Sequence, residues 1–145
     1  MAKILIDVDP SNKTGTIAPF WKRMVGSGHA NLLLRKDLFD HVDDAVKELE
    51  FDYIRFHGTL SDDVGVLQYA DKDDTEIDDE CLNFTNLDSI YDNLVEYIGI
   101  RPFVEFSFMP KYIASGSTET FRYPSNNTPP VNYQLWVSLI TKIVE

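Results

Sequence analysis

The most informative stretch of the sequence is Phe51-Asp52-Tyr53-Ile54-Arg55-Phe56-His57-Gly58. Its aromatic and β-branched residues favour a strand over 51–56, and His57-Gly58 ends that strand. Before it, apolar residues recur at helical spacing between charged ones, which predicts an amphipathic helix over 35–50. The apolar stripe of this helix comprises Leu38, Val42, Ala45, Val46 and Leu49. A helix that leads directly into a strand is the repeating unit of a parallel α/β sheet.

The same alternation extends in both directions along the chain. Upstream, residues 3–8 and 23–26 are predicted as two short strands. Downstream, a second helix begins with a cap at Thr85 or Asn86 and ends at Gly99, where a residue that tolerates positive φ is favoured. A near-continuous apolar run over 101–108 predicts a strand covered on both faces, and a third helix is predicted over 133–145.

One strand followed by three strand–helix units predicts parallel strands joined by right-handed crossovers. An open doubly wound sheet and the first part of a (β/α)8 barrel share this order. A complete barrel needs about 250 residues, so a chain of 145 residues holds only three of its eight units.

Composition narrows the class of protein. With 43% hydrophobic residues the chain has enough apolar side chains for a core, yet no apolar run approaches the roughly 18–20 residues that cross a bilayer. The net charge of −11 would repel nucleic acid and anionic membranes. A single cysteine, Cys81, excludes an internal disulfide, and the three histidines lack the spacing of a metal site. We therefore expect a cytoplasmic protein without a metal or cofactor.

Two conspicuous segments do not indicate binding sites. Gly26-Ser27-Gly28 lacks the third glycine of a dinucleotide-binding loop and the Gly-Lys-Ser/Thr ending of a phosphate loop. Residues 71–80 carry seven carboxylates against one lysine, without the spacing or the central glycine of a calcium loop. This acidic segment is predicted to be a solvated loop.

Polar residues on two predicted strands point to a site. Alternation puts Tyr53, Arg55 and His57 on one face of their strand, although parallel strands are normally apolar on both faces. Glu105 lies on the corresponding face of the strand over 101–108. We expect Arg55 and Glu105 to pair in a polar interior, because either charge buried alone would cost several kcal/mol. The pair is either purely structural or part of a site at the carboxyl ends of the strands.

Loop residues leave several alternatives open. Asp62-Asp63 forms either an acid–base pair or a solvated turn or helix cap. Tyr112, Phe121 and Tyr123 follow the third strand, where aromatic rings either stack on a sugar or pack within the loop itself. His29 and His41 are predicted to be surface or packing residues.

The sequence resembles the N-terminal part of glycoside hydrolase family 39, the β-xylosidase and α-L-iduronidase family, over almost its whole length. The resemblance rests on the segments 51–58, 61–65, 98–105, 108–110 and 114–116, and on Thr128-Pro129-Pro130 before Tyr133 and Trp136. It implies a (β/α)8 barrel with an accessory β-sandwich. Residues 1–10 would then lend a strand to the sandwich, and residues 11–145 would form the N-terminal part of the barrel, with residues 23–26 as its first strand.

The resemblance also implies an activity and a subsite. Members are retaining glycosidases with two catalytic carboxyl groups about 5 Å apart. The acid/base lies in a Trp-Asn-Glu-Pro-type motif after the fourth strand and the nucleophile lies on the seventh, so both are expected to be missing from this chain. Arg55 and His57 resemble residues near the family's sugar-binding subsite, and Phe108 resembles a lining residue. Phe56 replaces a glycine often found between that arginine and histidine.

We therefore expect an inactive fragment of a β-xylosidase-like enzyme, with a xyloside or related oligosaccharide as the ligand. Its open sheet edges predict association with the missing half of the barrel or with itself. Two alternatives remain. The chain is instead a non-catalytic sugar-sensing or interaction module, like related barrels fused to transcription regulators, which fits the Phe56 variant. Otherwise it is an autonomous small α/β binding domain, which would be monomeric and unfold in one sharp transition.

Overall fold

Three parallel strands form the centre of the computed structural model, which describes residues 4–13 and 15–145. The strands are β1 (Met24–His29), β2 (Tyr53–His57) and β3 (Arg101–Phe103), and they lie side by side in the order β1-β2-β3. Tyr53 on β2 pairs with Met24 on one side and with Arg101 on the other. The predicted α/β class and the parallel strand order are therefore confirmed.

The helices also follow the predicted order. They are α1 (Lys36–Leu49), α2 (Thr85–Tyr91) and α3 (Tyr133–Val144), and α2 continues as a π-helical segment over Asp92–Ile98. Gly99 ends that segment with a φ of 81°, as the C-cap prediction requires. Short 3-10 turns occupy Phe20–Arg23, Ala30–Leu34 and Asp79–Cys81.

Two apolar clusters hold these elements together. The first lies between the sheet and the first two helices, where Ile54 and Phe56 of β2 are almost completely buried. The second lies beneath α3, where Leu135 and Leu139 pack on residues from the long loops. The alternation of β2 thus directs its apolar side chains into the core and leaves its other face for polar side chains.

The predicted third strand is too long. β3 ends at Phe103, so residues 104–108 lie outside the sheet, and the prediction of coverage on both faces is also wrong here. A strand persists only where a neighbour satisfies its backbone, and β3 pairs with β2 along one edge alone. Phe103 and Phe106 accordingly remain 49% and 37% exposed.

The N-terminal strand prediction is not confirmed in the described residues. Lys3 lies outside them, and residues 4–8 form no strand and are exposed. A strand requires a partner, and this segment pairs with none of the strands described above. The accessory sandwich and the boundary at residue 10 therefore stay predictions.

Two local predictions need correction. The strand predicted over 23–26 continues to His29, with an irregular register between Gly26 and Gly28. The cap of α2 is neither Thr85 nor Asn86, because the helix already begins at Thr85 and its N-cap position is Phe84, which makes no side-chain hydrogen bond to the helix. The Asn83 side chain, one residue earlier, accepts a hydrogen bond from the Thr85 backbone at 3.0 Å. Within the described part of the chain, no helix has the length and apolar character needed to span a membrane.

Candidate functional site

Two histidines meet at the carboxyl ends of adjacent strands. His29 ends β1, His57 ends β2, and the two residues are paired in the sheet register. Their ring centroids lie 5.8 Å apart. The carboxyl edge of a parallel sheet is the usual place for a ligand in α/β folds, so this pair marks the candidate site.

Arg55 lies on the same face of β2 as His57, opposite the buried Ile54 and Phe56. Its guanidinium forms an ion pair with the Glu105 carboxylate. The Arg55 side chain is 51% exposed and that of Glu105 is 30% exposed. The two charges thus lie together, but in a partly solvated position and not in an enclosed polar interior.

Aromatic rings surround His57. Its Nε2 lies 2.6 Å from the Tyr123 hydroxyl, within hydrogen-bond distance. Phe108 meets the His57 ring edge-on at 5.8 Å between centroids, and Phe121 stacks on it at 5.7 Å. Burial, followed by the nearby charge of His29, lowers the pKa of His57, so the imidazole is neutral near neutral pH. Tyr112 does not belong to this group, since its ring packs against Tyr69.

His29 has a more specific environment than the sequence suggested. It is only 4% exposed, and its Nε2 lies 2.8 Å and 3.0 Å from the two carboxylate oxygens of Asp63. Its ring stacks on Tyr123 at 4.2 Å between centroids. Sequence reasoning missed this because residues 29, 63 and 123 share no local pattern. The available signal was a lone histidine three residues beyond the end of the strand predicted over 23–26.

Asp62 and Asp63 do not act as a pair. The carboxylate of Asp63 binds His29, and its backbone carbonyl accepts a hydrogen bond of 2.7 Å from the Asn31 side chain. Asp62 instead accepts a hydrogen bond of 3.2 Å from the Lys111 backbone. Burial raises the pKa of Asp62. The acid–base pair considered from the sequence is thus divided between two different contacts.

Buried polar residues hold the loop that carries Phe121 and Tyr123. The Ser125 hydroxyl accepts hydrogen bonds from the backbone nitrogens of Thr120 at 3.1 Å and Phe121 at 2.7 Å. Asn126 donates to the Gly116 carbonyl at 2.7 Å. These bonds fix the loop over the strand ends, so the two aromatic rings are placed by the loop's own backbone.

The part of the chain that the structure describes contains no cluster of metal-ligating side chains. No group of three or more His, Cys, Asp or Glu side chains within residues 4–13 and 15–145 is arranged to hold an ion.

A surface cleft of about 680 Å³ lies beside α3 and is lined by residues such as Thr75, Tyr133 and Lys142. This cleft shares no residue with the histidine site, which depends on hydrogen bonding and aromatic stacking instead.

Known proteins resemble this chain over most of its length. It is 42% identical over 140 residues to a β-xylosidase from Caldicellulosiruptor saccharolyticus, covering 95% of this chain and 27% of that protein. A β-xylosidase from Geobacillus stearothermophilus is also 42% identical, over 93% of this chain and 26% of the relative. The chain thus spans about a quarter of the length of the curated relatives that it matches.

Solved structures agree with this similarity. The family 39 enzyme from Xanthomonas axonopodis pv. citri superposes with a TM-score of 0.72 at 32% identity, covering 85% of this chain and 23% of that structure. A family 39 β-xylosidase from Caulobacter crescentus gives a TM-score of 0.61 at 29% identity, covering 72% of this chain and 22% of the other. The family model for Glycosyl hydrolases family 39 matches residues 4–145. This chain therefore belongs to glycosyl hydrolase family 39.

Proposed function

We propose that this chain supplies part of the sugar-binding subsite of a retaining glycoside hydrolase that cleaves terminal β-xylosyl residues. The observation that carries the proposal is the cluster of Arg55, His57 and Phe108 at the carboxyl edge of a parallel sheet in a family 39 chain. Relatives that are 42% identical are named β-xylosidases, which supports xylose as the sugar.

The chemistry of the cluster suits a pentose ring. A neutral His57 exchanges hydrogen bonds with sugar hydroxyls without the desolvation cost of a charged group. The Arg55 guanidinium offers further donors, while Glu105 neutralises its charge. Phe108 and Phe121 provide apolar ring faces for the C–H groups of a sugar. Such a site combines a few polar groups with an apolar wall, as ligand sites generally do.

We also propose that this chain has no hydrolytic activity by itself. Retaining hydrolysis needs an acid/base and a nucleophile on opposite sides of the scissile bond. The family resemblance places these groups after the fourth strand and on the seventh, whereas the sheet described here has three strands. Glu105 is engaged with Arg55 and is not a substitute.

The proposed binding partner of the open sheet is the rest of a barrel or a second copy of the chain. Within the described residues β3 is hydrogen-bonded on one edge only, and its last residue, Phe103, is 49% exposed. Exposed apolar surface and unpaired strand edges favour association. We expect the purified chain to be oligomeric, which sedimentation at several concentrations would measure.

A binding titration tests the subsite. Methyl β-D-xyloside should shift backbone amide resonances near His57 in the 145-residue chain, and His57→Ala should weaken this binding at least tenfold. His41→Ala is the matched control, because His41 lies on the exposed side of α1. Equal affinity in the two variants would refute the subsite. An aryl β-D-xyloside should release no aryl alcohol, and turnover that survives further purification would refute the proposed inactivity.

The alternative is a sugar-sensing or interaction module built on the same barrel. This alternative is favoured because side chains suited to binding a sugar lie on a three-stranded sheet in the described residues. Sequencing the source DNA on both sides of the reading frame separates the two proposals. A downstream segment that encodes Trp-Asn-Glu-Pro supports the hydrolase, whereas an upstream helix-turn-helix segment supports the sensor.

A further inference from the structure

A continuous series of contacts leads from Asp63 to His57. The Asp63 carboxylate binds Nε2 of His29, the His29 ring stacks on Tyr123, and the Tyr123 hydroxyl lies against Nε2 of His57. We propose that Asp63, His29 and Tyr123 are positioning residues that set the orientation and the tautomer of His57. The role of His57 in binding sugar rests on the function proposed above, but the positioning itself does not.

The contact with the Asp63 carboxylate fixes the protonation of His29. A carboxylate only accepts hydrogen bonds, so Nε2 of His29 carries a proton and donates it to Asp63 at 2.8 Å. Nδ1 of His29 is buried and has no hydrogen-bond partner within residues 4–13 and 15–145. Gly58 lies directly beside this atom and leaves no space for another side chain. The ring is therefore held in one orientation by one hydrogen bond and by close packing.

Stacking on His29 and Phe121 places the Tyr123 ring. Its ring lies nearly parallel to His29, with 27° between the planes, and also stacks on Phe121 at 5.1 Å. Stacked rings of this kind contribute about 0.5–1.5 kcal/mol beyond their burial. The loop's own hydrogen bonds through Ser125 restrict its backbone. Tyr123 is thus held from both sides before any ligand arrives.

The contact with the Tyr123 hydroxyl fixes the tautomer of His57. A phenol is a stronger acid than a neutral imidazole N–H, so the Tyr123 hydroxyl donates to Nε2 of His57 at 2.6 Å. The proton of the neutral His57 then resides on Nδ1, because the hydrogen bond at one ring nitrogen determines the state of the other. In the described residues Nδ1 of His57 makes no hydrogen bond. It is therefore available as a donor to a hydroxyl group of the ligand.

Nitrogen NMR of the histidine rings tests this proposal without any sugar. At mildly alkaline pH, the full 145-residue chain should show His57 protonated on Nδ1 and His29 protonated on Nε2. Tyr123→Phe removes only the hydroxyl and should move His57 to a mixture enriched in the Nε2–H form. Tyr112→Phe is the matched control, since it removes a hydroxyl from the same long loop without contacting His57. An unchanged His57 tautomer in Tyr123→Phe would overturn the proposal.

A separate test addresses the contact between Asp63 and His29. Asp63→Ala removes the acceptor for His29 and should shift the His57 tautomer in the same direction as Tyr123→Phe, while Asp63→Asn, which keeps an acceptor oxygen, should restore it in part. Asp62→Ala is the control, because Asp62 contacts the Lys111 backbone instead. If His57 responds to Tyr123→Phe but not to Asp63→Ala, the positioning role of Asp63 and His29 is wrong. Normal tautomers in a chain that fails to bind methyl β-D-xyloside would refute the subsite and leave the positioning intact.

Discussion

Gly58→Ala should lower the free energy of unfolding by roughly 2–5 kcal/mol, because two costs combine at this position. Gly58 has a φ of 79°, and an L residue in the left-handed region loses about 1–2 kcal/mol. An added Cβ would also lie 2.5 Å from Nδ1 of His29 and 2.8 Å from Oγ of Ser61. His29 is buried and bonded to Asp63, so displacing its ring costs about a further 1–3 kcal/mol.

Gly99→Ala is the matched control for this prediction. Its φ of 81° is nearly identical, but no atom lies within 4 Å of the Cβ position. It should therefore show only the conformational cost of about 1–2 kcal/mol. Urea denaturation of both variants, followed by far-UV circular dichroism at one protein concentration, measures the difference. If Gly58→Ala is no more destabilising than Gly99→Ala, the inference that His29 is rigidly held is wrong.

Three further variants test other parts of the structure. Arg55→Ala should lower the free energy of unfolding, measured by urea denaturation, by only about 0–1 kcal/mol, because both members of its ion pair reach solvent. A loss above about 3 kcal/mol would show that the pair is buried. The pKa of His57 lies below its ordinary value of 6.5 in the folded chain, so the unfolded chain binds more protons and stability should fall as the pH drops below about 6.5. His57→Gln should remove this part of the pH dependence of the urea midpoint, whereas His41→Gln should retain it. Phe56→Ala should lower the free energy of unfolding by about 3–5 kcal/mol, since Phe56 is only 1% exposed and faces the core. The xyloside affinity of its folded fraction should stay unchanged, and weaker binding would place Phe56 in the subsite.

Local patterns accounted for most of the secondary structure. The helical spacing from Leu38 to Leu49 predicted α1, the alternation in residues 53–57 predicted both faces of β2, and Gly99 marked the end of the second helix. These features depend on residues that are close in sequence, where side-chain periodicity and backbone freedom act directly. The same reasoning overestimated β3, because the length of a strand depends on its neighbours in the sheet.

The amino-acid sequence by itself was enough to predict the α/β class, the parallel order of the strands, the family resemblance, and the positions of Arg55 and His57 on one polar face. Folding in three dimensions was needed to bring Asp63 to His29 and Tyr123 to His57, across 34 and 66 residues of chain. Such contacts leave no periodic trace in the sequence, since they join loops whose paths are set by packing of the whole chain. The positions of His29 and Tyr123 therefore follow only from the tertiary arrangement, in which loop hydrogen bonds hold Tyr123 and the absence of a side chain at Gly58 leaves room for His29.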